Sequence, residues 1–148
     1  MNTSILTKTL ASSLLLGFCL YTPASFAVNL NGALGSAAGA IDFYRVTCAS
    51  NTNGVTDNLK VTVRNLAPVT SPLMSVQVIK GILAKNTTDA VNADTTLSPA
   101  AIVKGGNGVY DVRVNKAGAG AENYALTYAC LNSAGKATGV AIATAQNQ

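Results

Sequence analysis

Cysteine is the most reactive residue type in this chain, and it occurs at positions 19, 48 and 130. A nucleophilic cysteine needs a general base within hydrogen-bonding reach, usually histidine, and the sequence contains no histidine. A structural zinc site needs four ligands drawn mainly from cysteine and histidine, which this composition does not supply. The cysteines therefore favour a structural role over catalysis or zinc binding.

The acidic residues offer little for catalysis, because enzyme sites gather titratable groups in one place. They number six and are spread along the chain: Asp42, Asp57, Asp89, Asp94, Asp111 and Glu122. Asp42 and Asp111 fall in candidate strands and could meet in space, but the favoured alternative is that each faces solvent beside Arg45 or Arg113. We expect no catalytic residues, no metal and no cofactor, and hence a protein that is not an enzyme.

One loop carries three oxygen-bearing side chains that could bind a ligand: Asp89, Asn92 and Asp94. An EF-hand calcium loop would space its ligands more closely and would include a glycine and a distal glutamate, so no metal is assigned here. The same residues also fit a solvated connection between strands. A sugar site would need an exposed aromatic ring, for which Tyr44 and Tyr124 are the candidates.

The N-terminus has the features of a secretory signal peptide. Lys8 precedes an apolar run at 9–21 that is too short to span a bilayer, and Ser25 and Ala27 form a small-x-small cleavage site. We expect cleavage after residue 27; the alternative is a retained membrane anchor. Phe18 before Cys19 argues against lipid attachment, because lipidation requires a small residue at that position.

Cleavage would leave Cys48 and Cys130 as the only cysteines, in a chain sent to an oxidising compartment, periplasmic or extracellular. An even cysteine number in such a compartment indicates a disulfide, and two cysteines allow one connectivity. Free structural thiols are the alternative. The remaining nine basic residues are scattered, which does not favour a nucleic-acid partner, and no apolar run of spanning length remains after cleavage.

Period-two alternation closed by turn residues predicts about seven strands in a single domain at 40–148. The candidate strands are 40–48, 58–66, 73–83, 100–104, 109–115, 123–131 and 136–144. The Gly-Gly-Asn-Gly run at 105–108 predicts a hairpin, 85–98 reads as a long polar loop, and Gly81 suggests a bulge. The pattern indicates an all-β, antiparallel, immunoglobulin-like β-sandwich with one inter-strand disulfide.

The segment 28–39 is rich in glycine and alanine and precedes the first predicted strand. One interpretation is a flexible or loosely docked leader, because such residues fix little structure near a terminus. The other is a donor strand that completes the sheet of a neighbouring subunit, through the alternate positions Val28, Leu30, Gly32 and Leu34.

The run NGVYDVRVNKAGAGAENYALTYAC at 107–130 resembles the ending common to small bacterial secreted sandwich modules, including pre-peptidase C-terminal domains. Tyr128, two residues before Cys130, also matches the spacing of the tyrosine corner of immunoglobulin domains, although the chain has no tryptophan. The resemblance implies a β-sandwich appendage and carries no catalytic residues.

These observations favour an exported, non-catalytic protein with a structural or protein-interaction role at the cell envelope or cell surface. Its contact would be the N-terminal arm or an exposed sheet edge, with a protein partner or a second copy. The alternative is a secreted module that recognises a carbohydrate or small molecule through the 89–94 loop and an exposed tyrosine.

Overall fold

The computed structural model describes residues 27–66 and 72–148, which form nine β-strands and, within these ranges, no helix. The strands are β1 Val28–Leu34, β2 Ile41–Ala49, β3 Asn58–Asn65, β4 Met74–Lys80, β5 Leu83–Thr88, β6 Ala101–Val103, β7 Gly108–Lys116, β8 Glu122–Leu131 and β9 Gly139–Gln146. They make two antiparallel sheets, ordered β1-β8-β3-β6 and β5-β4-β7-β2-β9. The all-β antiparallel class is confirmed. The predicted signal peptide lies, apart from Ala27, outside the described residues.

Alternating side chains from both sheets build the core. Successive residues of a strand point to opposite faces, so one row of each strand is buried between the sheets while the other faces solvent. The fully buried aliphatic residues of the two inner faces are Leu59, Val61, Val63 and Leu126 in one sheet and Val46, Val76, Val78, Val112 and Val114 in the other. Each of the seven predicted strands overlaps an observed one.

The Cys48–Cys130 disulfide is confirmed, with the two Cα atoms 5.6 Å apart. Cys48 lies in β2 of the five-stranded sheet and Cys130 in β8 of the four-stranded sheet, so the bridge crosses the core between the two sheets. Both cysteines are buried.

The N-terminal arm differs from the expectation of a flexible leader outside the domain. Val28–Leu34 is strand β1, which pairs with β8 of the same chain from Val28↔Tyr128 to Leu34↔Glu122. Leu34 belongs to the core, and Val28 and Leu30 pack against it. The edge position that a donor strand from a neighbour would fill is thus occupied by the chain's own β1.

Gly32 explains why a segment of such low β-propensity forms this strand. It lies opposite Tyr124 in the register, and a Cβ atom at position 32 would overlap the Tyr124 ring. The glycine that suggested flexibility in the sequence is therefore a packing requirement, since only a residue without a side chain admits the ring.

The predicted hairpin at 105–108 is wrong. The strands on either side belong to different sheets, because β6 pairs with β3 while β7 pairs with β2 and β4. Gly106 and Gly108 adopt positive φ angles of 69° and 114°, so the glycines do turn the chain. Their turn carries the chain from one sheet to the other, an outcome that local turn signals cannot distinguish from a hairpin.

The long loop predicted at 85–98 begins later than expected. Leu83–Thr88 is strand β5, which forms a hairpin with β4 from Lys80↔Leu83 to Ser75↔Thr88. Gly81, predicted as a bulge, lies in the turn of this hairpin with φ of 56°. Polar residues at an exposed sheet edge resemble a loop in sequence, because no buried row enforces alternation there.

Substituting Gly32 with alanine should destabilise the fold by roughly 1–3 kcal/mol, because the new Cβ atom displaces the Tyr124 ring. Gly39→Ala is the matched control, since a Cβ atom there meets nothing within 4 Å. Urea unfolding measures both free energies. Equal stabilities of the two variants would contradict the pairing of β1 with β8 of the same chain.

Replacing Cys48 and Cys130 with serine should lower the free energy of unfolding by roughly 2–5 kcal/mol, because the disulfide closes a long chain segment in the unfolded state. Denaturant unfolding of the oxidised protein and the variant measures the difference. A variant as stable as the oxidised protein would show that the core alone holds the two sheets together.

Candidate functional site

An apolar cleft opens between two free strand edges at one side of the sandwich. β5 ends the five-stranded sheet and β6 ends the four-stranded sheet, and the two edges face each other. The cleft has a volume of about 460 Å³ and is lined by Leu83, Ala84, Lys85, Ile102, Val103 and Lys104. We call it the β5–β6 cleft.

Large apolar side chains are exposed at this cleft and at the turn beside it. Ile82 is 100% exposed at the tip of the β4–β5 turn, and Leu83 and Ile102 are 42% and 43% exposed on the two cleft walls. Contiguous apolar exposure of this kind marks interaction sites in soluble proteins, whereas single exposed apolar residues do not.

The backbone of β5 also offers unused hydrogen-bonding groups. Among the described strands, β5 pairs only with β4, so its outer edge has no partner strand over residues 83–88. On the opposite side of the sandwich the chain is tied together, since the Gly35 amide after β1 donates to the Gln148 carbonyl beyond β9, at 2.8 Å. On the β5–β6 side, no backbone hydrogen bond joins the two edge strands among the described residues.

The charges at the cleft are positive. Lys85 and Lys104 are exposed in its lining, and none of the described lining residues is acidic. Lys80, nearby in β4, is held differently: its ammonium group donates to the Gly106 and Asn107 carbonyls and lies 4.4 Å from the centroid of the Tyr110 ring. Partial burial lowers the pKa of Lys80.

The residues predicted to bind a ligand are only partly brought together. Asp89 is buried, and its Oδ2 accepts a 2.7 Å hydrogen bond from the backbone amide of Asn65. Asn92 Oδ1 accepts from Asn65 Nδ2 at 3.2 Å. Asp94 instead accepts from the Thr96 amide at 2.8 Å within its own turn. Asp89 and Asn92 thus converge on Asn65, and Asp94 has a local structural role.

Sequence reasoning missed the other members of this cluster, Asn65 and Glu122. Asn65 Nδ2 donates to Glu122 Oε2 at 2.9 Å, and both residues are fully buried. The sequence did contain a signal for both residues. Each lies in the inward-facing row of its strand, and the other residues near it in that row are apolar. A polar residue at an inward position is the informative observation in such a pattern.

Asp42 was expected to face solvent beside Arg45, and this expectation is wrong. Asp42 is fully buried, and its Oδ2 accepts a hydrogen bond from the Tyr124 hydroxyl at 2.5 Å, while the Tyr124 hydroxyl is itself hydrogen-bonded to the Tyr44 hydroxyl at 2.5 Å. Its Oδ1 accepts from the Gln148 amide at 2.8 Å. The carboxylate organises two core tyrosines and the C-terminal residue, so the two tyrosines that were candidates for exposed sugar-binding rings are buried.

Asp111 lies on the outer face, where its Oδ1 is 3.9 Å from Arg45 Nε, as expected. Asp42 and Asp111 therefore face opposite sides of one sheet and form no acid pair. The aromatic ring on this outer face is Phe43, which lies between Arg45 and Arg113 with guanidinium-to-centroid distances of 5.9 and 5.5 Å.

No protein-family model and no curated protein matches this chain. Within residues 27–66 and 72–148, no helix has the length and apolar character needed to cross a membrane.

Stability should fall as the pH rises above about 10, because burial, followed by the hydrogen bond to Asp42, raises the pKa of Tyr124 above its ordinary value. The unfolded chain releases this proton first, so the stabilisation is complete below pH 10 and declines above it, by up to about 1.4 kcal/mol per pH unit for one tyrosine. Denaturant unfolding between pH 8 and 11.5 measures the slope.

In Tyr124→Phe this slope should be shallower by about one tyrosine's contribution. Asp111→Asn is the control, because it alters an exposed ion pair on the outer face and should leave the alkaline slope unchanged. A Tyr124→Phe slope equal to that of the wild type would show that Tyr124 ionises normally in the folded protein.

Proposed function

We propose that this chain is an exported, non-catalytic protein-interaction domain of the cell envelope or cell exterior, and that its contact surface is the β5–β6 cleft. The observation that carries the proposal is the combination, at one place, of exposed apolar side chains and a strand edge without a partner strand. The disulfide and the predicted signal peptide support export, since disulfides persist in oxidising compartments.

The mode of binding that fits this surface is strand addition. An extended segment of the partner would pair with the outer edge of β5 over residues 83–88, and its alternate side chains would enter the cleft against Leu83 and Ile102. Main-chain hydrogen bonds would supply affinity, and the apolar walls would select the side chains.

The charges define the partner further. Lys85 lies on an edge strand, where a lysine opposes indiscriminate pairing with other edges. Together with Lys104 on the facing wall, it would favour a segment that carries a carboxylate among its apolar residues. A second copy of this chain is a poorer match, because its own net charge is positive.

The sugar-binding alternative lacks a comparable observation, because the two tyrosines considered for exposure are buried in the Asp42 network. The interaction proposal therefore stands as the function that the described surface supports best.

A fluorescein-labelled peptide of sequence TVTETVTV tests the proposal, with its valines and its glutamate in the row that would enter the cleft. Fluorescence anisotropy should show saturable binding to the wild-type protein, and weaker binding of a peptide with lysine in place of the glutamate. Leu83→Glu should weaken binding at least tenfold, because it places a charge in the apolar wall.

Val91→Glu is the matched control, since Val91 is an exposed apolar residue outside the cleft lining. It should bind the peptide as the wild type does. Absence of binding, equal binding by Leu83→Glu, or self-association of the wild type that Leu83→Glu abolishes would each contradict the proposed partner.

A further inference from the structure

A buried polar cluster lies at one end of the sandwich, well inside the fold. It consists of Asn65 at the end of β3, Glu122 at the start of β8 and Asp89 directly after β5, and these three residues are at most 2% exposed. We call it the Asn65 cluster. Two carboxylates buried in one cluster need a compensating positive charge or a proton.

Oxygen atoms converge on the Asn65 side chain in excess of its donors. Its Nδ2 lies 2.9 Å from Glu122 Oε2, 3.2 Å from Asn92 Oδ1 and 3.3 Å from the Pro72 carbonyl oxygen. An amide group has two hydrogens, so three acceptors compete for two donors. The cluster is therefore rich in oxygen and poor in hydrogen.

Two further oxygens in the cluster have no hydrogen-bond partner within the part of the chain that the structure describes. Glu122 Oε1 and Asn65 Oδ1 are both buried and both unpaired. Each is bonded to the same carbon as an atom that takes part in the Glu122–Asn65 hydrogen bond, so both lie beside that bond. Buried acceptors without partners are rare and costly, and an unseen ion is one of their recognised causes.

Among the described residues, no cationic side chain forms an ion pair with the cluster. The ion pair found among the described residues joins Arg45 and Asp111 on the surface. Lys116 is buried at the same end of the sandwich, opposite Met74 in the register, but its ammonium group donates to the carbonyls of Gly35 and Gly120. The carboxylates of Asp89 and Glu122 therefore lack a partner within ion-pair distance.

We propose that the Asn65 cluster is a binding site for a hard divalent cation of the calcium type. The carboxylates of Asp89 and Glu122 would provide the charge, and Asn65 Oδ1 would provide a neutral oxygen. The absence of sulfur and imidazole from this donor set disfavours zinc and copper.

The number of carboxylates sets the expected affinity. No group of three or more Asp, Glu, His or Cys residues converges within 27–66 and 72–148, so this site has only two charged ligands. Such a site should bind calcium weakly, with a dissociation constant on the order of 10⁻⁴–10⁻³ M, which is the range of extracellular modules. The cation would connect β3, β8 and the segment after β5, and the inference does not depend on the β5–β6 cleft.

Two readouts on the wild-type protein test the site. Calcium at 10 mM should raise the melting temperature by roughly 5 °C, because binding to the folded state alone stabilises it. Terbium should give luminescence on tyrosine excitation, because Tyr124 is the register partner of Asn65, and calcium should displace it.

Glu122→Gln should lower the affinity for both ions at least tenfold, because it removes a charged ligand without changing the shape. Asp94→Asn is the matched control, since Asp94 lies on the same loop but caps its own turn. If Glu122→Gln does not fold, Asp89→Asn replaces it. Absence of both responses in the wild type, or responses that both cluster variants retain in full, would overturn the proposal.

Discussion

The Cys48–Cys130 disulfide is the constraint on which the rest of this sandwich depends, because it is the covalent link between the two sheets. It joins β2, the fourth strand of one sheet, to β8, the second strand of the other. Aliphatic rows of both sheets pack around it, and β1 and β9 are held on its side by the Gly35–Gln148 hydrogen bond. In each sheet, the strand farthest from the bridge is an edge strand: β5 in the five-stranded sheet and β6 in the four-stranded sheet. The β5–β6 cleft therefore lies on the side of the sandwich away from the cross-link.

The aliphatic rows end in buried polar residues, which form two separate hydrogen-bond networks. Asp42 continues the inward row of β2 and is satisfied by Tyr124 and the Gln148 amide. Asn65 continues the inward row of β3 and meets Glu122, whose second oxygen is left unpaired. The first network is complete and fixes the core, whereas the second is incomplete and oxygen-rich. This difference in satisfaction is what distinguishes a structural polar cluster from a candidate cation site.

The sequence predicts much of the fold because alternation is strong wherever one face of a strand is buried. The strands around Val46, Val61 and Val112 follow from that pattern, whereas the Cys48–Cys130 pairing follows from the two cysteines that remain after the predicted signal-peptide cleavage. β1 and β5 escape it for physical reasons: Gly32 interrupts the apolar row to admit a tyrosine ring, and β5 is an edge whose exposed residues need not alternate. In the Asn65 cluster, the sequence predicted only Asp89 and Asn92 as ligand-binding residues. Asn65 and Glu122 join them through strand pairing across a large sequence separation. The β5–β6 cleft depends on which strands end each sheet, and local sequence does not encode that order.

The central claim of this account is that the outer edge of β5 accepts a partner strand. Hydrogen exchange of the backbone amides, measured with and without the TVTETVTV peptide, tests it most directly. The account predicts that amides of residues 83–88 on the outer edge of β5 exchange rapidly in the free protein and become protected when the peptide binds, while the amides of β7 and β8 remain protected throughout. Unchanged exchange in β5 at saturating peptide, or new protection confined to the β1 or β9 edge, would contradict it.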